Sequence, residues 1–143
     1  MKELQNLLQQ VATITQKNSE ILNVTGGRFN MFRICGVNHY ENTHSAIIAE
    51  LLNPKGTHSL KSELLKAFLS LIDKDFVPTD FNPSDATVYT EYTTDKGRID
   101  ILIKDTNKNA LIIENKIYAA DQYEQLKRYE QFAKKEFKAY QIY

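Results

Sequence analysis

Two short stretches hold the residues whose types and spacing could do chemistry: Gly97-Arg98-Ile99-Asp100-Ile101-Leu102-Ile103 and, after a turn, Leu111-Ile112-Ile113-Glu114-Asn115-Lys116-Ile117. Both are rich in β-branched residues and read as strands. Side chains two apart on a strand share a face, so Glu114 and Lys116 project together. A hairpin about a loop centred near Asn107 places Asp100 opposite Glu114, each seven residues from that centre. Directly opposed side chains in an antiparallel pair have Cβ atoms roughly 4.5 to 5.5 Å apart, so the two carboxylates converge. Such a like-charge pair destabilises by up to about 1 kcal/mol unless a cation or Lys116 offsets it. Hard oxygen ligands suit Mg²⁺ or Mn²⁺, which keep several waters when held by one or two carboxylates and can also take a phosphate oxygen. An adjacent lysine can orient a water on such a metal, help take its proton, or steady the charge of a phosphate. Those are the needs of phosphodiester hydrolysis. Glu-x-Lys by itself is a salt-bridged strand face in most proteins; here an acid in register on the neighbouring strand, with apolar residues around, supports the functional reading.

The elements that must position these residues follow from periodicity. Leu4, Leu7, Leu8, Val11, Ile14, Ile21 and Leu22 recur at three and four, predicting an amphipathic helix over Lys2 to Leu22 that stops at Thr25-Gly26-Gly27. Its Gln and Asn content suits packing or self-association, and a homodimer through this helix is the expectation. A short helix is predicted over Phe29 to Ile34 and a longer one over Glu41 to Leu52, ended by Asn53-Pro54-Lys55-Gly56. A third begins after His58-Ser59, with Leu60, Leu64, Leu65, Phe68, Leu69 and Ile72 on its buried side. Asp73 to Ala86 reads as a loop. Strands follow at Thr87 to Thr94, at Arg98 to Lys104 with Ile99, Ile101 and Ile103 on one face, and at Ala110 to Ile117. A helix is predicted from about Ala119 to Phe137, burying Leu126, Tyr129, Phe132, Ala133 and Phe137, and Ala139 to Tyr143 opens a last strand.

Composition bounds the rest. A chain of 143 residues, 42% hydrophobic and 25% charged, fits one globular domain, residues 1–143, carrying residues 1–25 as an N-terminal helix. No run reaches the roughly 18 to 20 apolar residues of a membrane span and no signal-peptide block opens the chain, so the expectation is a cytoplasmic protein with no membrane partner. Cys35 is the only cysteine, which excludes an internal disulfide. Lys+Arg 18 against Asp+Glu 18 gives no bulk positive field, so a nucleic acid must be held by a local patch. The chain ends inside what reads as a strand, and a domain cut short at its C-terminus is expected.

The two strands resemble the PD-(D/E)XK nuclease superfamily, whose signature is an acid on one strand and Glu-x-Lys on the next. Asp121-Gln122, Gln125-Leu126 and Arg128-Tyr129 are similar to a bacterial branch of uncharacterised and defence-associated nucleases within it, as are Phe29-Asn30-Met31-Phe32, Glu41-Asn42-Thr43-His44-Ser45 and Leu51-Leu52-Asn53-Pro54-Lys55-Gly56-Thr57-His58. The resemblance runs from about Phe29 to the C-terminus. It implies an α/β fold with a restriction-endonuclease-like core: a helix, a three-stranded meander, a helix and a final strand, so a small mixed sheet flanked by helices behind a helical N-terminal half. It also implies Mg²⁺-dependent (or Mn²⁺-dependent) cleavage of DNA, with Asp100 and Glu114 as metal ligands and Lys116 as the catalytic lysine. Glu41 is the acid expected from the helix before the meander, with Glu50 as the fallback. Gln125 and Tyr129 match the Gln-x-x-x-Tyr element of exonuclease-like members, and Gln122 lies one turn earlier on the same side; these position the lysine or the strand being cut. Ile99 stands where proline is common in the superfamily.

Other signals carry less. His44 reads as a helix-start residue beside the site and His58 as a loop residue near the phosphate path. Lys127, Arg128, Lys134, Lys135 and Lys138 give the last helix a basic face suited to a phosphate backbone, although such runs are more often only solvated. Cys35 with His39, His44 and His58 matches no tight zinc spacing, and Cys35 reads as a core residue. The rival readings are a catalytically silent nucleic-acid-binding or regulatory module on the same fold, and an interaction protein built on the N-terminal helix.

Overall fold

The computed structural model of the chain describes residues 2–72, 77–117 and 123–143. It divides into two units, Met1–Asn38 and His39–Tyr143. The first holds helix α1 (Lys2–Val24) and the short helix α2 (Met31–Ile34). Helix α1 ends where Gly26 takes φ +68°, a conformation that costs glycine little, and the Thr25 N–H closes on the Ile21 carbonyl at 2.9 Å. Asn30 caps α2 by accepting the Arg33 N–H at 2.9 Å, which places Phe29 outside the helix predicted to include it. No residue of α1 is buried, and its stripe from Leu4 to Leu22 is exposed. Cys35 is exposed as well, contrary to its reading as core. Among the described residues no helix is long and apolar enough to cross a membrane.

The second unit runs α3 (Glu41–Leu52), α4 (Glu63–Leu71), β1 (Thr87–Thr94), β2 (Gly97–Lys104), β3 (Asn109–Ile113), α5 (Tyr123–Glu136) and β4 (Ala139–Ile142). The strands form one sheet in the order β1-β2-β3-β4, antiparallel except for β4, which lies parallel to β3 after the α5 crossover. This is the mixed α/β sheet flanked by helices that the sequence predicts. Helix α3 has the predicted bounds, whereas α4 starts at Glu63 because Ser59 and Lys61 hold φ of 60° and 52°, outside the helical region. Leu60 is consequently half exposed rather than buried. Leu126, also predicted as core, lies on the outer side of α5 and is exposed.

Both faces of the sheet are covered. Ile101, Ile103 and Leu111 pack with Ala49 and Leu52 of α3 and Leu65 of α4. Ile99, Leu102, Ala110 and Ile112 pack with Tyr129, Phe132 and Ala133 of α5. Each fully buried isoleucine or leucine among them contributes about 1.5 to 3 kcal/mol. The separation of Ile99 from Ile101 corrects the expectation that Ile99, Ile101 and Ile103 share a face. Ile99 and Leu102, three apart on β2, pack on one side, and so do Tyr89 and Tyr92 on β1. Regular pleating puts residues three apart on opposite faces, so both strands change phase at the same place. The pairing keeps its count across that place, Thr90 with Ile101 and Tyr92 with Ile99, and the residues facing one another in the gap are Glu91 and Asp100. Glu91 takes φ +52° inside β1, and this left-handed residue is what turns the pleat.

A left-handed non-glycine residue costs roughly 1 to 2 kcal/mol, and a β-branched one more. Glu91→Gly is therefore expected to keep or raise stability in urea denaturation, while Glu91→Val lowers it by about 2 kcal/mol. Equal stability of the two variants would show that the phase change does not depend on the left-handed conformation.

Candidate active site

The β2–β3 hairpin has the register predicted for it, Ile101 with Ile113, Leu102 with Ile112 and Ile103 with Leu111, all symmetric about Asn107. Strand β3, however, stops at Ile113 instead of reaching Ile117. Past that point the Asn115 N–H is taken by the Asp100 carboxylate, whose Oδ2 lies 2.9 Å away. A side chain thus replaces the next strand carbonyl, and Glu114, Asn115 and Lys116 leave the ladder as an irregular segment beside β2. On the other side of that segment the Glu114 N–H donates to the Tyr143 carbonyl at 2.9 Å.

The Glu114 side chain is only 7% exposed. It is held by three donors: Gln125 Nε2 to Oε1 at 2.7 Å, the Tyr129 hydroxyl to Oε2 at 2.9 Å, and the Lys116 ammonium in direct contact with Oε1. Gln125 and Tyr129 stand four apart on α5, one above the other, and Gln125 Nε2 also donates to the Tyr129 oxygen at 2.6 Å. The single phenol proton has two acceptors within reach, Glu114 Oε2 and the Arg98 carbonyl. Buried Tyr129 therefore ties α5 to both chemistry-bearing segments.

Glu41, the first residue of helix α3 and the acid expected from that helix, meets the same segment. Glu41 Oε1 accepts the Ile117 N–H at 3.0 Å, and the Asn115 amide donates to the Glu41 carbonyl and to Ser45 Oγ, each at 3.1 Å. Glu50, the fallback, is placed elsewhere: its carboxylate accepts the Thr57 hydroxyl at 2.7 Å and the Thr57 N–H at 2.5 Å, bonds that lower its pKa and close the turn after α3. His58 serves the same turn. Its Nδ1 accepts the Leu60 N–H at 3.0 Å, leaving Nε2 to donate to the Asn53 carbonyl at 3.0 Å. Only glycine fits at Gly56, where a Cβ would stand 2.7 Å from the Glu50 carbonyl and 2.8 Å from the His58 ring.

Electrostatics knit the cluster. Burial pushes the Asp100 carboxyl above the ordinary aspartate range; the Asn115 N–H opposes this, and the charges of Glu114 and Glu91 add to it while Lys116 pulls it down. The hydrogen bond to Glu114 raises the Lys116 pKa against the effect of burial, and the charges of Glu114, Asp100 and Glu41 reinforce the rise. Lys116 is accordingly an ammonium at neutral pH, in contact with Glu114 and within the electrostatic reach of Asp100 and Glu41. Glu91 is a contributor that sequence reasoning missed. Its Oε2 lies 2.6 Å from Arg98 Nε on the neighbouring strand, and a lone acid in a Tyr- and Thr-rich strand gives no signal without the register.

His44 lies in the first turn of α3, half-buried. Lys127 and Arg128 are on the exposed side of α5, Lys127 with its ammonium 3.5 Å from Glu124 Oε1. Gln122 lies outside the described residues. Among those residues no three His, Cys, Asp or Glu side chains stand together as a ready-made metal cage. The donor set that does converge, Asp100 and Glu114 with Glu41 nearby, is all oxygen, and one or two carboxylates completed by water is how Mg²⁺ is usually held.

A family model described as the PD-(D/E)XK nuclease superfamily matches residues 29–143, a span that takes in every site residue above. No curated protein and no solved structure matches the chain.

Burial, only partly opposed by the Gln125 hydrogen bond, pushes the Tyr129 phenol up to about 12. The folded chain thus keeps a proton that an unfolded tyrosine releases near about pH 10. Its contribution to stability is whole below that pH and is lost as pH rises through 12. Thermal melts of the wild type should fall more steeply over that window than those of Tyr129→Phe; equal slopes would mean that the phenol is not held protonated.

Proposed function

The chain belongs to the PD-(D/E)XK nuclease superfamily, and on that footing we propose that it is a metal-dependent deoxyribonuclease that hydrolyses phosphodiester bonds in DNA. The observation that carries the reading is that the carboxylates of Asp100 and Glu41 both bond the main chain of the short segment on which Glu114 and Lys116 are in direct contact. Three carboxylates brought to a segment with a single lysine leave negative charge that a divalent ion would compensate, and Mg²⁺ or Mn²⁺ suits their hard oxygens. Asp100 and Glu114 would hold it. When bound it supplies Lewis acidity to a phosphate oxygen and lowers the pKa of water.

The chain's own residues do the rest. Gln125 and Tyr129 hold the Glu114 carboxylate in one orientation, and the Asn115 N–H does the same for Asp100. Lys116, protonated, stabilises negative charge as it builds on the attacked phosphate, the electrostatic contribution that dominates such reactions. Lys127 and Arg128, turned to solvent, are suited to contacts with the phosphate backbone. His44 stands one turn along α3 from Glu41 and is assigned to substrate binding.

Asp100→Ala and Lys116→Ala are each expected to abolish Mg²⁺-dependent cleavage of duplex DNA with the circular dichroism spectrum unchanged, and calorimetry should show Mn²⁺ binding lost in Asp100→Ala. Retained cleavage in both variants would sink the proposal. A second reading, a nucleic-acid-binding module that no longer cuts, is favoured by the full set of protein donors already on Glu114; it expects DNA binding without cleavage in the wild type. For the first unit, the exposed stripe of α1 supports self-association into a homodimer. Light scattering should then report twice the chain mass, falling to the monomer in Leu7→Glu/Ile14→Glu, whereas a monomeric wild type would count against it.

A further inference from the structure

We propose that Asn115, the residue between the acid and the lysine of Glu-x-Lys, is a positioning residue that sets Glu41 against the segment carrying Lys116, with Ser45 as its anchor. The inference rests on the nuclease reading and assigns a role to the side chain of Asn115, whose amide is turned to helix α3. All three N–H groups of Asn115 are spent on other elements. The main-chain N–H goes to Asp100 on β2, and the two amide hydrogens go to the Glu41 carbonyl and the Ser45 hydroxyl on α3. The acceptors lie 15, 74 and 70 residues away in sequence, so the residue is a junction between distant segments rather than a local turn former.

The geometry leaves little freedom. The two hydrogens of a planar amide point in fixed directions, and Glu41 and Ser45, four apart on α3, present a carbonyl and a hydroxyl on the same helix face. Both bonds form only when the first turn of α3 stands at one distance and rotation relative to the segment after β3. Ser45 is 1% exposed, so its hydroxyl has no access to water as an alternative partner. Since β3 ends at Ile113, no strand ladder fixes residues 114–117 on the β2 side. The Asn115 bonds and the neighbouring Ile117 N–H to Glu41 Oε1 take that part. Loss of the amide would let the Glu41 end of α3 drift from Lys116 while Gln125 and Tyr129 still grip Glu114. Aspartate has the same shape but offers no hydrogens and sets a negative charge against the Glu41 carbonyl, so it should fail where a purely space-filling residue would succeed.

The test uses the full chain and Mn²⁺ alone as the calorimetric probe, with cleavage of duplex DNA in Mg²⁺ as the second readout. Asn115→Ala and Asn115→Asp should each weaken Mn²⁺ binding by about tenfold and lower kcat by at least as much, with KM within about twofold, the size expected for residues that orient ligands. Ser45→Ala, which removes one of the bonds, should give a smaller loss of the same kind, and it carries the test if the Asn115 variants do not fold. In a Glu41→Ala background, Asn115→Ala should add less than about twofold to the loss of Mn²⁺ affinity, because its effect is exerted through Glu41. A structural residue would instead lower stability and leave the two effects additive. Unchanged affinity and kcat, or full additivity with Glu41→Ala, overturns the proposal while the nuclease reading stands. A wild type that neither binds Mn²⁺ nor cuts DNA overturns both.

Discussion

Where β2 and the segment after β3 part company, the Asp100 carboxylate stands in for a strand carbonyl and takes the Asn115 N–H. The geometry of the candidate site follows from that exchange. A side chain on a regular strand stands roughly perpendicular to the sheet, and here the pleat of β2 is interrupted at Asp100, across from left-handed Glu91. Both strands then change phase together, which keeps their pairing in register and lets the apolar residues on either side of the break face opposite layers. Ile101 and Ile103 serve the α3 side and Ile99 the α5 side, so the acid sits on β2 between residues that belong to opposite cores.

Around that point charge and burial oppose each other. Removing a carboxylate from water raises its pKa, and neighbouring acids raise it further, so a cluster of acids stays ionised only where donors and cations are aimed at it. Here the donors come from three directions: main chain to Asp100, α5 side chains to Glu114, and the Ile117 N–H to Glu41. Lys116 supplies the positive charge and is held protonated by the acids it serves. Tyr129 shows why a hydroxyl rather than a plain ring is required at its position. The ring fills the α5 core, while its oxygen links Glu114 to Arg98 and Gln125.

The structure separates residues that look equivalent along the chain. Glu41 and Glu50 share helix α3, yet the first bonds to the segment carrying Lys116 and the second is occupied by Thr57 in the turn that Gly56 makes possible. The histidine of that turn is engaged with Asn53 and Leu60. Leu60 and Leu126 obey helical spacing but are exposed, the former because Ser59 and Lys61 delay the helix start. Such choices depend on backbone conformation at single residues, which spacing does not encode.

The sequence by itself determined the order of the elements, the register of the β2–β3 hairpin and the pairing of Glu114 with Lys116. These are set by local periodicity and by a short connection whose length fixes which residues face each other. Only the tertiary structure decided that β3 ends before the site, that Ile99 and Ile101 face different layers, and that Glu91 acts on Asp100. It also decided that Asn115 reaches α3. Each of these depends on contacts between segments far apart in the chain, where the energy of a hydrogen bond or a buried charge overrides the preferences that a strand or helix pattern expresses.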